Sequence, residues 1–261
     1  MNNKVSAILM GGLGNYMFQL AATYAYGMEH NKEVVFNALE SSGPHKHLSA
    51  YSDNVFKGID LHHTRQGNYT QLNEVHFNYN ELPKIDNNVL LYGYFQSEKY
   101  FSNIKDEIRE MFTNYQVKMD NKLNYIFKND VTCSVHVRRG DYLKHPNHHP
   151  TQNMSYYIEA MDKMSKNTTF IVFSDDIDWC KENFASYNRN YIFMENNKDY
   201  EDLYYMSKCN NNIICNSTFS WWGAWLNNSA NKIVVAPKKW FGSALSTHNT
   251  DDLYCENWVK I

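Results

Sequence analysis

The sequence predicts an α/β protein with two lobes, each built around a parallel sheet with helices on its faces. From about residue 129 onward, short apolar runs alternate with helical patterns of about ten residues, which is typical of βαβ units. Near the start, an apolar run, the glycine-rich GGLG and an amphipathic stretch indicate strand, turn and helix. The 261 residues leave room for one to two domains of about 150 residues. We therefore expect lobes over 1–128 and 129–261.

The N-terminal lobe has the less regular pattern of the two. Ser97 has a side chain suited to the N-cap of the helix that follows it. The polar, histidine- and asparagine-rich region 41–88 predicts loop with short helices. The predicted strands are 5–10, 33–39 and 88–95, and the predicted helices are 16–31 and 97–112.

The C-terminal lobe alternates regularly between strands and helices. The predicted strands are 131–137, 169–174, 190–195, 212–217 and 232–237, and the predicted helices are 155–166, 177–184, 199–209 and 219–227. In an open parallel sheet the ligand binds beyond the carboxyl ends of the strands. The residues that follow these strands are therefore the first candidates for a functional site.

Composition narrows the class of protein. The chain has 25 Lys and Arg against 28 Asp and Glu, which disfavours a nucleic acid or a polybasic membrane contact. No run approaches the roughly 20 apolar residues of a membrane span, and the first apolar run is too short for a signal peptide. The five cysteines form no C-x-x-C pair, which argues against disulfides and structural zinc. A cytoplasmic protein is expected.

The strongest motif is HVRRGDY at 136–142, where a strand reaches a glycine turn. Alternation carries Arg138 to the end of the strand, with Arg139 next to it. Guanidinium groups match phosphate oxygens in bidentate geometry, so a diphosphate is one candidate ligand. The structural alternative is an ion pair between Arg139 and Asp141 that fixes the loop.

Two further strand ends carry polar residues. In NSTFSWWGAWLN at 216–227, Ser217 or Thr218 is suited to cap a helix whose first N–H groups form an anion site, although capping alone also explains them. The tryptophans of this segment are expected in the core. In FSDDIDW at 173–179, Asp176 and Asp178 have the D-x-D spacing that holds a divalent metal in many glycosyltransferases, or they serve the helix dipole.

Two weaker signals remain. GGLGN at 11–15 lacks the dinucleotide and P-loop patterns, but its glycine turn allows close backbone approach and Asn15 offers a donor and an acceptor. The histidines at 145, 148 and 149 have no metal-ligand spacing, so a solvated loop is expected there.

Taken in order, these blocks resemble the α-1,2-fucosyltransferases. The resemblance rests on GGLGN-x-MFQLA, HVRRGDY, FSDD-x-x-W and NSTFSWWGAWL, and it covers essentially the whole chain. One departure is Tyr16, where that family more usually has glutamine. The resemblance implies a GT-B architecture of two facing Rossmann-like lobes, and inverting, metal-independent transfer of fucose from GDP-fucose to a galactose 2-hydroxyl of a glycan. No cofactor is implied beyond the donor substrate.

The resemblance also implies roles for single residues. Arg138 would bind the β-phosphate, with His136, Arg139 and Asp141 organising the same loop. The sequence names no clear general base, and Asp141 is the nominee. The implied donor-binding residues are Gly14, Asn15, Arg139, Ser174, Asp175, Asp176, Asn216, Ser217, Thr218, Phe219 and Ser220. Asn15 would approach the donor from the N-terminal lobe, where the acceptor is also expected.

Two other functions stay open at this point. The D-x-D spacing favours a metal-dependent sugar-nucleotide transferase that uses Asp176 and Asp178. The 20 tyrosines and 6 tryptophans favour a glycan-binding module without catalysis. For the enzyme, a location at the periphery of a membrane that carries the acceptor is an alternative to the bulk cytoplasm.

Overall fold

The computed structural model describes residues 3–37 and 47–261, and the chain divides into two compact units. The first unit is Met1–Tyr115 with His248–Cys255, and the second is Gln116–Thr247 with Glu256–Ile261. The units differ from the expected lobes in two places. Residues 116–128 belong to the second unit, and the short segment His248–Cys255 returns to the first.

The first unit contains a four-stranded parallel sheet in the order β2-β1-β4-β3. Its strands are β1 (Lys4–Ala7), β2 (Glu33–Val34), β3 (Tyr69–Asn73) and β4 (Asn88–Tyr92). Strand β3 lies in the region that the sequence predicts as loop. The strand was missed because YTQLN is an edge strand with no fully buried residue, and such a strand has no apolar pattern. Positions 38–39 of the predicted second strand and 41–46 of the predicted loop lie outside the described residues.

The described part of the first unit has two α-helices, α1 (Leu13–Glu29) and α2 (Lys105–Thr113), and α1 packs against β1 and β2. Helix α1 begins three residues before the predicted start, so Gly12 is its N-cap and the end of GGLGN is its first turn. The apolar face of α1 is fully buried at Met17, Phe18 and Leu20. The segment predicted as one helix over 97–112 is a 3₁₀ helix followed by α2, and Ser97 caps it as expected, with its Oγ accepting the Lys99 N–H at 3.3 Å.

The second unit contains a six-stranded parallel sheet in the order β10-β9-β8-β5-β6-β7. Its strands are β5 (Thr132–Val137), β6 (Thr169–Ser174), β7 (Asn190–Phe193), β8 (Asn211–Ile213), β9 (Val234–Ala236) and β10 (Val259–Lys260). Its helices are α3 (Asn121–Asn129), α4 (Met154–Met161), α5 (Ile177–Phe184), α6 (Asp199–Lys208) and α7 (Thr218–Leu226). All five strands and all four helices predicted here are confirmed; α3 and β10 were not predicted.

Both units therefore have the expected α/β class with parallel sheets. The central strand β5 is buried along its whole length, which fits the apolar and small residues on its two faces, and His136 is its one large polar side chain. Trp221 and Trp222 are fully buried, which confirms that the tryptophans of α7 belong to the core. Within 3–37 and 47–261, every helix is too short or too polar to cross a bilayer.

Candidate functional site

Three loops meet at the carboxyl edge of the second sheet. They follow β5, β6 and β8, which are neighbours in the sheet and run in the same direction. The loops bring together Arg138 to Asp141, Ser174 to Asp176, and Cys215 to Ser217. This is the edge at which a parallel α/β sheet binds its ligand.

The Asp175 carboxylate organises the loop after β5. It accepts the backbone N–H of Arg139 at 2.8 Å and of Gly140 at 3.1 Å, and it pairs with Arg138 Nη1 at 3.1 Å. A Cβ on Gly140 would lie 2.6 Å from Asp175 Oδ2, so this close approach requires glycine. Asp175 therefore holds the loop after β5, and its predicted contact with the nucleoside stays a prediction.

Arg138 is held between two carboxylates with part of its guanidinium exposed. Asp141 Oδ1 lies 2.9 Å from Nε and 2.7 Å from Nη2, and the Arg138 side chain is 33% exposed. Burial opposes the charged form, but Asp175 and Asp141 outweigh it and raise the pKa of Arg138. The alternative pairing of Arg139 with Asp141 is wrong, because Asp141 faces Arg138.

Arg139 is directed into the unit. Its Nε lies 2.9 Å from Asp176 Oδ2, and its guanidinium carbon lies 4.1 Å from the centre of the Trp179 ring. The side chain is only 17% exposed. Asp176 also caps α5 by accepting the Trp179 N–H at 3.4 Å. The Arg139 side chain therefore links this loop to the start of α5, and its predicted contact with the donor stays a prediction.

The two carboxylates of the D-x-D pattern serve different purposes. Asp176 is paired with Arg139, whereas the Asp178 side chain is 95% exposed and lies 4.0 Å from Lys181. Ser174 Oγ accepts the Asp176 N–H at 2.9 Å, so it also supports the turn. Among the described residues, no three His, Cys, Asp or Glu side chains are grouped so that they could hold a metal ion.

His136 and Cys215 form a buried pair beneath Arg138. His136 is 6% exposed, and its Nδ1 lies 3.2 Å from Cys215 Sγ. Burial, together with the Arg138 charge, lowers the pKa of His136 to about 3, and burial raises the pKa of Cys215 to about 12. Both groups are therefore neutral near pH 7. The histidine ring packs against Phe219, with 5.4 Å between ring centres.

The N-terminus of α7 completes this edge. Ser217 is its N-cap, with Oγ accepting the Phe219 N–H at 3.3 Å, and its neighbours Thr218 and Phe219 are half-buried. Ser220 is buried and donates to the Ser217 carbonyl at 3.3 Å. Unpaired N–H groups of a first helical turn favour an anion. Of the predicted residues in this segment, Ser217 to Phe219 are the ones accessible to a ligand.

Asn216 lies inside the unit. Its Nδ2 donates to the carbonyls of Pro150 at 3.0 Å and Trp240 at 2.9 Å, and its Oδ1 accepts from Gln152 Nε2 at 3.1 Å. The residue is 2% exposed. The Asn216 side chain therefore positions the segments around it, and its predicted contact with the donor stays a prediction.

Tyr142 is a site residue that the sequence analysis did not single out. Its hydroxyl donates to the Asn216 carbonyl at 2.9 Å, and the Arg138 guanidinium carbon lies 5.7 Å from its ring centre. The ring of His149 stacks on it at 5.0 Å, so this histidine is half-buried. His145 and His148 are exposed, as the solvated-loop prediction requires. The signal for Tyr142 was its place in HVRRGDY.

Gly14 and Asn15 lie in the first unit, at the start of α1. Asn15 Oδ1 accepts from Gln96 Nε2 at 3.1 Å, whereas Gly14 is buried. Gly11 has a φ of 84°, and a Cβ there would lie 2.2 Å from Asn15 Nδ2, so the turn requires glycine. Tyr16 is 2% exposed, which makes the departure from glutamine at this position a change in the core.

Comparisons with known proteins give a family, similar sequences and a similar fold. Residues 2–261 match the family described as glycosyl transferase family 11. An alpha-1,2-colitosyltransferase of Escherichia coli is 32% identical to this chain, and the match covers 98% of both chains. The O-antigen biosynthesis glycosyltransferase WbnK of Escherichia coli is 30% identical, and the match covers 97% of this chain and 99% of WbnK. A crystal structure of POFUT1 in its apo form shares the fold, with a TM-score of 0.51 at 11% identity over 90% of this chain and 97% of that chain.

Proposed function

This chain belongs to glycosyl transferase family 11, and from that membership we propose that it transfers fucose from GDP-fucose to the 2-hydroxyl of a galactose in a glycan, with inversion and without a metal ion. The observation that carries the proposal is the guanidinium of Arg138. It stands partly exposed at the carboxyl edge of the second sheet, beside loops that also present the N-terminus of α7. A cation and a helix N-terminus at one edge are suited to a diphosphate.

The reaction explains why this edge is positively charged. Displacement at the anomeric carbon places negative charge on the departing diphosphate. Three N–H donors of Arg138 are engaged by Asp141 and Asp175, and its others remain for phosphate oxygens. The two carboxylates fix the guanidinium before the substrate arrives, so little reorganisation is needed in the transition state. In this proposal Ser217, Thr218 and Phe219 supply the hydroxyl and N–H groups around the second phosphate.

A second candidate function differs only in the transferred sugar. The alpha-1,2-colitosyltransferase matches over nearly the whole length of both chains, which favours colitosyl transfer to the same kind of hydroxyl. Colitose is fucose without the 3-hydroxyl. A site that hydrogen-bonds this hydroxyl rejects the deoxy sugar strongly, whereas a site that leaves it in solvent accepts both.

The test is a comparison of donors and acceptors. Purified protein is incubated with GDP-fucose or GDP-colitose and a panel of galactose-terminated glycans, and the product linkage is determined by NMR. We expect an α-1,2-fucosylated product, formed equally well in EDTA. Faster transfer of colitose would favour the second candidate. Activity that is lost in EDTA and restored by manganese would favour a metal-dependent enzyme, and glycan binding without GDP binding in calorimetry would favour a binding module.

The cytoplasm is the proposed place of the reaction, either in bulk or at a membrane that carries the acceptor. Four cysteines, Cys133, Cys180, Cys209 and Cys215, are buried free thiols. Buried thiols of this kind are typical of proteins from a reducing compartment.

A further inference from the structure

Tyr142 lies between the two groups of the second unit that the proposed function assigns to the diphosphate. The Arg138 guanidinium carbon is 5.7 Å from the centre of its ring. Its hydroxyl donates to the Asn216 carbonyl at 2.9 Å and shares a hydrogen bond with the Ser217 side chain. Ser217 is the N-cap of α7. Tyr142 therefore contacts both the loop after β5 and the N-terminus of α7.

The Tyr142 hydroxyl keeps its proton. Burial raises the pKa of Tyr142, and the neighbouring Cys215 thiol acts in the same direction. The Arg138 charge and the hydrogen bond with Ser217 lower the pKa, but they do not offset burial. A neutral hydroxyl has one proton to donate, and the Asn216 carbonyl accepts it. This bond is therefore present near pH 7.

The ring of His149 stacks on the ring of Tyr142. The two ring centres are 5.0 Å apart, and the planes are 22° from parallel. Phe241, from the loop after β9, packs on the histidine with 5.8 Å between ring centres. Nδ1 of His149 is buried and has no hydrogen-bond partner among the described residues. His149 therefore acts here through the packing of its ring and not through a hydrogen bond of Nδ1.

The loop that carries His149 is fixed by the loop after β9. The Gly242 N–H donates to the His148 carbonyl at 2.8 Å, and the Ala244 N–H donates to the Asn147 carbonyl at 2.9 Å. A Cβ on Gly242 would lie 2.3 Å from the Asn147 carbonyl oxygen, so this approach requires glycine. The stacked histidine ring therefore belongs to a loop whose backbone is held by hydrogen bonds.

We propose that Tyr142 is a positioning residue, which fixes Arg138 relative to the N-terminus of α7, and that His149 holds the Tyr142 ring; this inference rests on the proposed function. A diphosphate contacts both groups at once, so their separation has to match it. A guanidinium or a helix end that moved freely would have to be ordered when the donor binds, and that ordering would weaken binding. Because Tyr142 contacts both groups, they are ordered before the donor arrives.

The first test compares Tyr142→Phe with Tyr191→Phe, a matched change in the same unit. The Tyr191 hydroxyl also donates to a backbone carbonyl, that of Tyr187, at 2.9 Å, but it belongs to the edge strand β7. We expect both variants to melt at a lower temperature, because each loses one hydrogen bond. Only Tyr142→Phe should raise the Kd for GDP, by about five- to tenfold in calorimetry. An unchanged Kd would overturn the inference.

A double variant tests whether Tyr142 acts through the cap of α7. Tyr142→Phe and Ser217→Ala break the same connection, so their effects on GDP binding should not add. The Kd of the double variant should be close to that of the weaker-binding single variant. A Kd raised by the product of the two single effects would show that the Tyr142 hydroxyl acts independently of Ser217, and the inference would be wrong.

The role of His149 is tested by keeping or removing its ring. For His149→Ala we expect a higher Kd for GDP, and His149→Phe should restore most of the affinity because an aromatic ring can still stack on Tyr142. His148→Ala is the control, since the His148 side chain is exposed. If His149→Phe bound GDP as weakly as His149→Ala, the packing of the ring would not be what holds Tyr142.

A purely structural role for Tyr142 gives a different result. In that case Tyr142→Phe and Tyr191→Phe both melt at a lower temperature, and both bind GDP like wild type well below that temperature. This outcome refutes the inference and leaves the proposed function standing. If wild type and Tyr191→Phe bind no GDP, the proposed function fails first, and the role of Tyr142 in it fails with it.

Discussion

At the residue scale, the pair formed by His136 and Cys215 decides where one proton lies. Because the thiol has a raised pKa and the imidazole a lowered one, neither group is ionised near pH 7. We predict that the thiol donates its proton to Nδ1, which lies 3.2 Å from the sulfur, so that the ring carries its own proton on Nε2. Cys215 therefore acts on the site through the tautomer of His136.

Removal of the thiol should remove the hydrogen bond that fixes this tautomer of His136. For Cys215→Ala we expect the nitrogen NMR signals of His136 to show a mixture of tautomers, and turnover to fall roughly 10-fold. Cys215→Ser keeps a donor and should restore a single tautomer and most of the rate. Cys133→Ala, which removes another buried thiol of this unit, is the control for lost packing. A single unchanged tautomer in Cys215→Ala would contradict the prediction.

Arg138 is expected to contribute most to the rate among the residues of the second unit. For Arg138→Ala we expect kcat to fall by about 10² to 10³, since a fixed donor to the departing diphosphate is lost. Arg189→Ala is the matched control, because Arg189 also pairs with an aspartate, Asp162, at 3.2 Å. Circular dichroism should show that both variants fold. Near wild-type turnover with GDP-fucose in Arg138→Ala would refute its role.

At the element scale, the site depends on where helices begin. Helix α7 begins at Thr218, shortly after β8 ends at Ile213, so its first turn and Ser217 lie at the carboxyl edge of the sheet. The cap thus serves the helix and the proposed diphosphate site at once. A cap elsewhere in the same unit serves its helix alone, as Asp120 does for α3 by accepting the Leu123 N–H at 2.7 Å.

Removal of the two caps should separate these roles. We expect Ser217→Ala and Asp120→Ala each to lower the free energy of unfolding by about 1 kcal/mol. Only Ser217→Ala should weaken GDP binding, by about tenfold, because only that hydroxyl lies at the site. Urea unfolding and calorimetry with GDP measure the two effects. Equal GDP affinity in both variants would show that Ser217 is a cap and nothing more.

The sequence predicted most elements because their patterns are local. Strand β6 and helix α5 occur at the predicted residues, since an apolar run and an acidic cap define them. Strand β3 was missed because a polar edge strand has no apolar pattern, and α3 because Ile126 is its only buried residue. The pairing of Arg138 with Asp175 and of Arg139 with Asp176 was not predictable, because these aspartates follow a different strand, β6.

At the scale of the whole molecule, each unit contains a carboxyl group whose pKa is raised to about 7 by burial. In the first unit it is Glu74, and in the second it is Asp202, which accepts from Asn197 Nδ2 at 2.9 Å. The folded state binds these protons more tightly than the unfolded chain does. The stabilisation is therefore complete below about pH 4 and is lost as the pH rises through about 7.

The free energy of unfolding should accordingly fall between pH 5 and pH 8. Asp202→Asn replaces the carboxyl group by a neutral amide of the same shape, so the variant should match wild type near pH 5 and exceed it in stability at pH 8. Asp178→Asn is the control, because the Asp178 side chain is 95% exposed and the change should shift the two values by the same amount. Urea unfolding at the two pH values measures the difference. A loss of stability in Asp202→Asn that is as large at pH 8 as at pH 5 would contradict the prediction. It would show that the Asp202 carboxylate stabilises the folded state and that burial does not raise its pKa. If the prediction holds, the fold tolerates an unfavourable charge at neutral pH in the second unit, and the raised pKa of Glu74 implies the same for the first.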